Sequence, residues 1–181
     1  MSTLRLREAT IDDLALLRRW DEAPQVVDAD PNDDWAWETE LLRRPDWRTQ
    51  LIAEVDGRPI GFMEIADPAR ADDAYWADWL AAHPDHPAQV SRAIDIWIGE
   101  ADALGQGHGT RMLEAALTRG FAVPDVAGVL LDPLASNARA RALYARLGFV
   151  DLGPWRFGDD DCRVLWLSRV DWLQRCATGR P

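Results

Sequence analysis

Two neighbouring stretches decide how this chain folds: Ala93-Ile94-Asp95-Ile96-Trp97-Ile98-Gly99, and a few residues later Leu104-Gly105-Gln106-Gly107-His108-Gly109-Thr110. Residues 93–99 read as a strand. Ile94, Ile96 and Ile98 share one face, and Asp95 and Trp97 share the other. From Thr110 to Phe121 the apolar residues Met112, Leu113, Ala116 and Leu117 recur at helical spacing. Glycines between a strand and a helix let backbone N–H groups approach an anion, and the helix N-terminus adds a favourable dipole. The loop is not GxGxxG, which disfavours a dinucleotide fold. It is not GxxxxGK[ST], which disfavours an ATPase. A cradle for phosphate or pyrophosphate remains, with a plain tight turn as the other reading.

Working outward, Val126–Leu131 is a short apolar strand that Asp132-Pro133 ends. Ser136 is a candidate N-cap for a helix over 137–147, which Gly148 stops. Strands follow at 149–157 and 162–167, across a Gly158-Asp159 turn. Toward the N-terminus, residues 51–55 and 60–65 form a hairpin around Asp56-Gly57. Leu4 to Arg7 alternates as a strand. Thr10 caps a helix carrying Leu14, Leu16, Leu17 and Trp20. Residues 21–34 read as a polar loop and 35–44 as a helix stopped by Pro45. Residues 67–92 read as a long excursion with a short helix at 72–82, and long loops in compact domains are often functional. Strands bracket helices throughout, so the class is α/β, a mixed sheet flanked by helices. No repeat or linker divides residues 1–181, and the expectation is a single domain.

Composition excludes several classes. Hydrophobic residues make up 48% and charged residues 28%, the balance of a globular chain. No apolar run approaches the ~18 residues of a membrane helix. The opening MSTLRLREAT has no apolar stretch resembling a signal peptide, which points to the cytoplasm. Cys162 and Cys176 form no CxxC pattern, so neither a disulfide framework nor a Cys-rich zinc site is expected. His83-Pro84-Asp85-His86-Pro87 lacks metal-ligand spacing, and no metal is expected. The net charge is −11, and all 20 basic residues are Arg. The absence of Lys excludes a Lys Schiff base and a phosphate-loop Lys. So acidic a chain suits neither nucleic acid nor a membrane surface. A cationic ligand fits better, although acidity also simply keeps proteins soluble. Ten Trp residues serve either as core or as platforms for sugars and cations.

The chain resembles the GNAT superfamily of acyl-CoA-dependent N-acetyltransferases. The resemblance rests on the loop Leu104 through Gly109, followed by helix, strand and a second helix bearing Asn137, Ala140 or Ala142, Tyr144, Gly148 and Phe149. One departure is Leu104, where the family has Gln or Arg. The resemblance implies acetyl-coenzyme A as co-substrate, with Trp97, Ile98, Leu104, Gly105, Gln106, Gly107, His108, Gly109, Thr110, Asn137, Ala140 and Tyr144 on the coenzyme side. His108 is expected beside phosphate or in solvent. A narrower likeness, through Ile94-Asp95, Ile98-Gly99-Glu100, Asp132-Pro133 and Ser136-Asn137, is to aminoglycoside 6'-N-acetyltransferases. Asp73-Ala74-Tyr75-Trp76 looks like that family's acidic-aromatic acceptor loop. The 28–34 loop departs from it, with Asp28, Asp30, Asp33 and Asp34 in place of an aromatic pair. Siderophore and amino-terminal acetyltransferases share part of the pattern.

Acyl transfer from a thioester to an amine needs a proton acceptor, oxyanion donors and a proton for the leaving thiolate. Asp95 is the candidate acceptor. An exposed Asp has a pKa of about 4, so burial or a water relay is required. Backbone N–H groups near Trp97 and Ile98 are the candidate oxyanion donors. Tyr144 is the candidate acid, since a phenol stays protonated at neutral pH; a core Tyr is the other reading. Asp73, Tyr75, Trp76, Asp95 and Asp132 are the candidate acceptor residues, with carboxylates pairing ammonium groups and an indole covering an apolar sugar face. The expected protein is an N-acetyltransferase acting on a small polycationic amine, as monomer or homodimer. The alternatives are a siderophore-precursor or protein N-terminal acetyltransferase, and a non-catalytic acyl-CoA-binding sensor.

Overall fold

The computed structural model describes residues 2–32, 34–71, 75–86 and 88–179. The strands are β1 (Leu4–Glu8), β2 (Arg48–Val55), β3 (Arg58–Ala66), β4 (Ser91–Ile98), β5 (Gly128–Leu131), β6 (Val150–Phe157) and β7 (Asp160–Ser168). The helices are α1 (Leu14–Asp21), α2 (Pro24–Val27), α3 (Trp37–Glu40), α4 (Ala77–Ala82), α5 (His108–Ala122), α6 (Ala138–Arg146) and α7 (Arg169–Thr178). The sheet is seven-stranded, in the order β1-β2-β3-β4-β5-β7-β6. It is mixed: β4 and β5 run parallel, whereas β1/β2, β5/β7 and β6/β7 are antiparallel. Contacts group the chain into two compact units, Met1–Ile65 with Asp95–Ala116, and Ala66–Ile94 with Leu117–Pro181.

In the first unit, the carboxylate of Asp13 reaches back to accept a bond from the Thr10 N–H at 2.9 Å, closing the first turn as an acid at that position does. Arg7 of β1 grips the same carboxylate with two bonds of 2.7 Å and donates a third to Glu54 of β2. The start of α1 is thereby fixed to two strands. Leu17, Trp20, Ile52 and Phe62 are fully buried, and Trp37 and Trp97 nearly so. Phe62 and Trp97 approach to 4.7 Å between ring centres, with Trp35 stacked on Trp37 at 5.1 Å. The hairpin turn needs positive φ at both central positions, and Asp56 (51°) and Gly57 (83°) supply it.

In the second unit, β5 is buried along its whole length, as a short strand with neighbours on both sides must be. Gly128 lies under Trp166 so closely that a Cβ would fall 2.0 Å from the indole. Arg169 donates to the carbonyls of Phe121 and Val126 at 2.7 and 2.6 Å, satisfying one acceptor that the end of α5 leaves open and one in the loop that follows it.

Several sequence expectations change. The stretch 21–34, read as a loop, contains the single turn α2, and the cap of α6 is Asn137 where Ser136 was expected, because the Asn137 side chain accepts from the Ala140 N–H. The helix read over 35–44 is one turn, Trp37–Glu40. Ala36 enters it in the left-handed region (φ 45°), and burial of Trp37 sets the backbone path there. The helix read over 72–82 is Ala77–Ala82; residues 72–74 lie outside the described residues. The helix α7 was not read at all, although Ser168 caps it by accepting from the Asp171 N–H at 3.0 Å and Gly179 ends it at φ 59°.

Candidate functional site

The first unit holds Asp95, Trp97, Ile98 and the glycine loop. Asp95 is half-buried on β4. Trp97, on the face assigned to Asp95 by alternation, is only 7% exposed and packs against Trp35 and Phe62. That face therefore carries aromatic core beside the half-buried Asp95. The indole Nε1 of Trp97 is buried without a hydrogen-bond partner.

The loop read as an anion cradle is exposed from Gly105 to Gly107. Gly105 (φ 77°) and Gly107 (φ 79°) both sit in the left-handed region, both are exposed, and nothing lies within 4 Å of where a Cβ would stand. Open space in front of the loop is what approach of a phosphate to backbone requires. The helix α5 starts at His108, and its first N–H groups have no preceding carbonyl in the helix to bond. The Arg111 N–H bonds the Gly107 carbonyl at 3.3 Å. Two side chains of the loop behave differently from expectation. His108 is buried, at 7% exposure, with Nδ1 unpartnered; its ring belongs to the packing under the helix, not to solvent. Gln106 turns back, its amide bonding the Asp102 carbonyl at 2.5 Å. For both, the group left for a ligand is the backbone N–H.

The root of this loop carries Glu100, which the motif includes without a role, and Asp102. Glu100 accepts from Arg19 at 2.5 Å and from the Trp20 indole at 2.9 Å. Its carboxylate is held below the ordinary Glu range, chiefly by the Arg19 bond; burial works against this and the Trp20 bond supports it. Arg58 grips Asp102 with bonds of 2.9 and 2.8 Å. The clue in the sequence is only the Gly99-Glu100 pair; the partners come from α1 and β3.

The acidic loop before α3 is also organised by indoles. Trp37 donates to Asp21 at 2.5 Å and Trp35 to Asp30 at 2.9 Å. Burial raises the Asp21 carboxyl above its usual range; the Trp37 bond opposes this, and the nearby Asp34 and Glu22 charges add to it. An aromatic pair therefore does accompany this loop, at residues 35 and 37, just past the stretch where the sequence shows none. Asp33 lies outside the described residues.

The second unit holds Tyr75, Trp76, Asp132, Asn137, Ala140 and Tyr144. The Tyr75 hydroxyl donates to Oδ2 of Asp132 at 2.7 Å, and its ring stacks on Phe157 at 4.5 Å. Tyr75 remains 39% exposed. Trp76 does not offer an open face: it is 5% exposed and packs edge-on to Phe157 and Trp79. Its expected sugar-covering role is thus a core role in this structure. Asn137 spends its carbonyl oxygen on capping α6, accepting from the Ala140 N–H at 3.0 Å. Tyr144, on α6, is 6% exposed and lies 5.9 Å from Phe149. Asp73 lies outside the described residues. Among the described residues, no three His, Cys, Asp or Glu side chains group as a metal site, and no helix is long and apolar enough to cross a membrane.

A mixed seven-stranded sheet in which β4 and β5 run parallel, with α5 between them in the chain, is the fold expected of an acyl-coenzyme-A-dependent transferase. Comparison with known proteins agrees. The sequence model of the acetyltransferase (GNAT) domain family matches residues 10–157, and the chain belongs to that family. An aminoglycoside N(6')-acetyltransferase type 1 of Klebsiella pneumoniae is 29% identical over 160 residues, covering 81% of this chain and 74% of that protein. The crystal structure of aminoglycoside acetyltransferase AAC(6')-Ib in complex with coenzyme A and kanamycin is 26% identical. It has a TM-score of 0.81, covering 95% of this chain and 98% of that one. An uncharacterised protein of Bacillus halodurans shares the fold, at a TM-score of 0.84 and 19% identity over 99% of this chain and 91% of its own.

Proposed function

We propose that this protein transfers the acetyl group of acetyl-coenzyme A to a primary amine of an aminoglycoside, the 6'-amine. The bond of Tyr75 to Asp132 carries the acceptor reading. It fixes a carboxylate beside a half-exposed aromatic ring, the pairing that suits an ammonium group on a sugar. Relatives whose names state this acceptor, and a related structure that holds coenzyme A with kanamycin, support it. We read residues 1–181 as one acetyltransferase domain, working in the cytoplasm as a monomer or homodimer.

The chemistry assigns the roles. Backbone N–H groups of the Gly105–Thr110 loop hold the coenzyme pyrophosphate, and the open space before Gly105 and Gly107 fits that group. Asn137 and Ala140 contribute on the coenzyme side. The amine nitrogen attacks the thioester carbonyl carbon, and its proton passes to Asp95. Backbone N–H groups near Trp97 and Ile98 stabilise the oxyanion. The C–S bond then breaks, the thiolate takes the Tyr144 hydroxyl proton, and water carries the proton from Asp95 back to the Tyr144 phenolate. The products are an amide and free coenzyme A. Asp73, Asp95 and Asp132 pair the acceptor's ammonium groups. Acceptor-dependent release of free thiol tests the reaction. A siderophore-precursor or N-terminal acetyltransferase would release thiol with hydroxylated lysine derivatives or peptides instead, and an acyl-CoA sensor would bind coenzyme without releasing any.

A further inference from the structure

We infer that Glu100 is the positioning residue of the coenzyme loop, acting through the loop's root and not by touching the ligand. The inference rests on the acetyltransferase reading above. The exposed part of the loop cannot fix its own shape. Gly105 and Gly107 have no side chains, their Cβ positions face open space, and glycine backbone is the most costly to order. The geometry of the N–H groups is therefore set at the two ends. At the far end, α5 is anchored by buried His108, Met112 and Leu113. At the near end, backbone packing and side-chain bonds converge on Gly99 and Glu100.

Gly99 lies flat against Trp20, where a Cβ would stand 2.1 Å from the indole, and its carbonyl accepts from Gln25 at 2.8 Å. Glu100 then ties this point to α1 through Arg19 and Trp20, and to β3 through Arg58 at 3.4 Å. Trp20 is fully buried, so Glu100 is bonded to a group that cannot move away. The Glu100 carbonyl also closes the turn, accepting from the Ala103 N–H at 3.0 Å. Asp102, inside that turn, receives Arg58 on its carboxylate and Gln106 on its carbonyl. The restraint thus runs from Trp20 and Arg19 through Glu100 and Asp102 to Gln106, between the two glycines. The neutral bond to the buried Trp20 indole gives the restraint a fixed point, the charge-assisted bonds from the more exposed Arg19 and Arg58 add to it, and small displacements of binding groups are costly in affinity.

The test is isothermal titration of coenzyme A into the full chain, without acceptor, for wild type, Glu100→Ala, Glu100→Gln and Glu40→Gln. Glu40 is the control: it pairs with Arg48 and Arg43 in the same unit and no bond joins it to the loop root. Glu100→Ala is expected to weaken coenzyme A binding about tenfold. Glu100→Gln, which keeps an oxygen for the Trp20 indole but loses the charge facing Arg19, is expected to weaken it about threefold. Glu40→Gln stays within about twofold. In turnover, KM for acetyl-coenzyme A rises in both Glu100 variants, while kcat and acceptor KM hold. Coenzyme affinity within about twofold of wild type in Glu100→Gln would overturn the inference, as would equal losses in Glu100→Gln and Glu40→Gln. Because Glu100→Gln is isosteric, it decides the matter if Glu100→Ala fails to fold. Wild-type protein that binds no coenzyme A would overturn the acetyltransferase reading and this inference with it, a result separate from any variant difference.

Discussion

The Tyr75 phenol donates its proton to Oδ2 of Asp132 across 2.7 Å while its ring lies flat on Phe157. A residue of the excursion between β3 and β4 is thereby fixed to the residue that follows β5. The carboxylate is held by the phenol, and one face of the phenol ring is occupied by protein. If Asp132 pairs an acceptor ammonium, then Asp132→Asn should raise acceptor KM about tenfold. Tyr75→Phe, which keeps the stacking, should raise it about threefold. Neither should change KM for acetyl-coenzyme A. Steady-state kinetics with each substrate varied in turn checks the split.

Gly107 and its neighbours make a second test. Gly107→Ala introduces only a Cβ into a left-handed backbone with open space ahead of it, at a cost of about 1 kcal/mol. Gly107→Asp adds a negative charge where pyrophosphate approaches. Coenzyme A affinity should fall modestly in the first variant and by at least about a hundredfold in the second. Equal losses in the two would mean that strain alone matters and that the phosphates lie elsewhere.

Tyr144 is buried on α6, and its phenol is the proposed proton donor to the thiolate. Tyr144→Phe should lower kcat about 10²-fold with acceptor KM nearly unchanged, because the lost interaction belongs to the transition state. A Phe variant with full turnover would show that water protonates the thiolate.

The Asp13–Arg7 pair gives a pH prediction with a definite sign. Burial pushes the Asp13 carboxyl up, but the two Arg7 bonds and the Thr10 N–H outweigh it, and the carboxyl sits below its ordinary value in the folded protein. A depressed folded-state value means the stabilisation is fully present above the ordinary carboxylate range. It is lost as pH falls through that range to the folded value. Asp13→Asn should therefore cost about 2 kcal/mol at neutral pH. The difference in thermal midpoint from wild type should shrink below pH ~4. A difference that stays constant down to pH ~2 would assign the effect to packing instead of charge.

The parts of this protein that follow local rules were readable from the chain. The 93–99 alternation, the glycines before α5 and the Gly148 stop after α6 each carry their own physical signal, and each appears in the structure within a few residues, although Asn137 and not Ser136 caps α6. What was not readable depends on partners far away in sequence. Glu100 has no meaning until Arg19, Trp20 and Arg58 surround it. Trp76, read as a platform, is claimed by the core formed with Trp79 and Phe157. His108 looks like a loop residue but turns inward. Trp35 and Trp37 read as part of a long helix, yet their burial and their bonds to Asp30 and Asp21 reshape the segment into a single turn. In each case tertiary burial overrides what the residue would do alone.

The most direct measurement is coenzyme thiol release from acetyl-coenzyme A, compared across acceptors. These are kanamycin-like aminoglycosides with a 6'-amine, the matching 6'-hydroxyl compounds, hydroxylated lysine derivatives and N-terminal peptides. The expected result is turnover with the 6'-amino compounds and none with their 6'-hydroxyl counterparts, lysine derivatives or peptides. Turnover confined to lysine derivatives or peptides would contradict the aminoglycoside assignment and leave the acetyltransferase fold and its coenzyme loop standing.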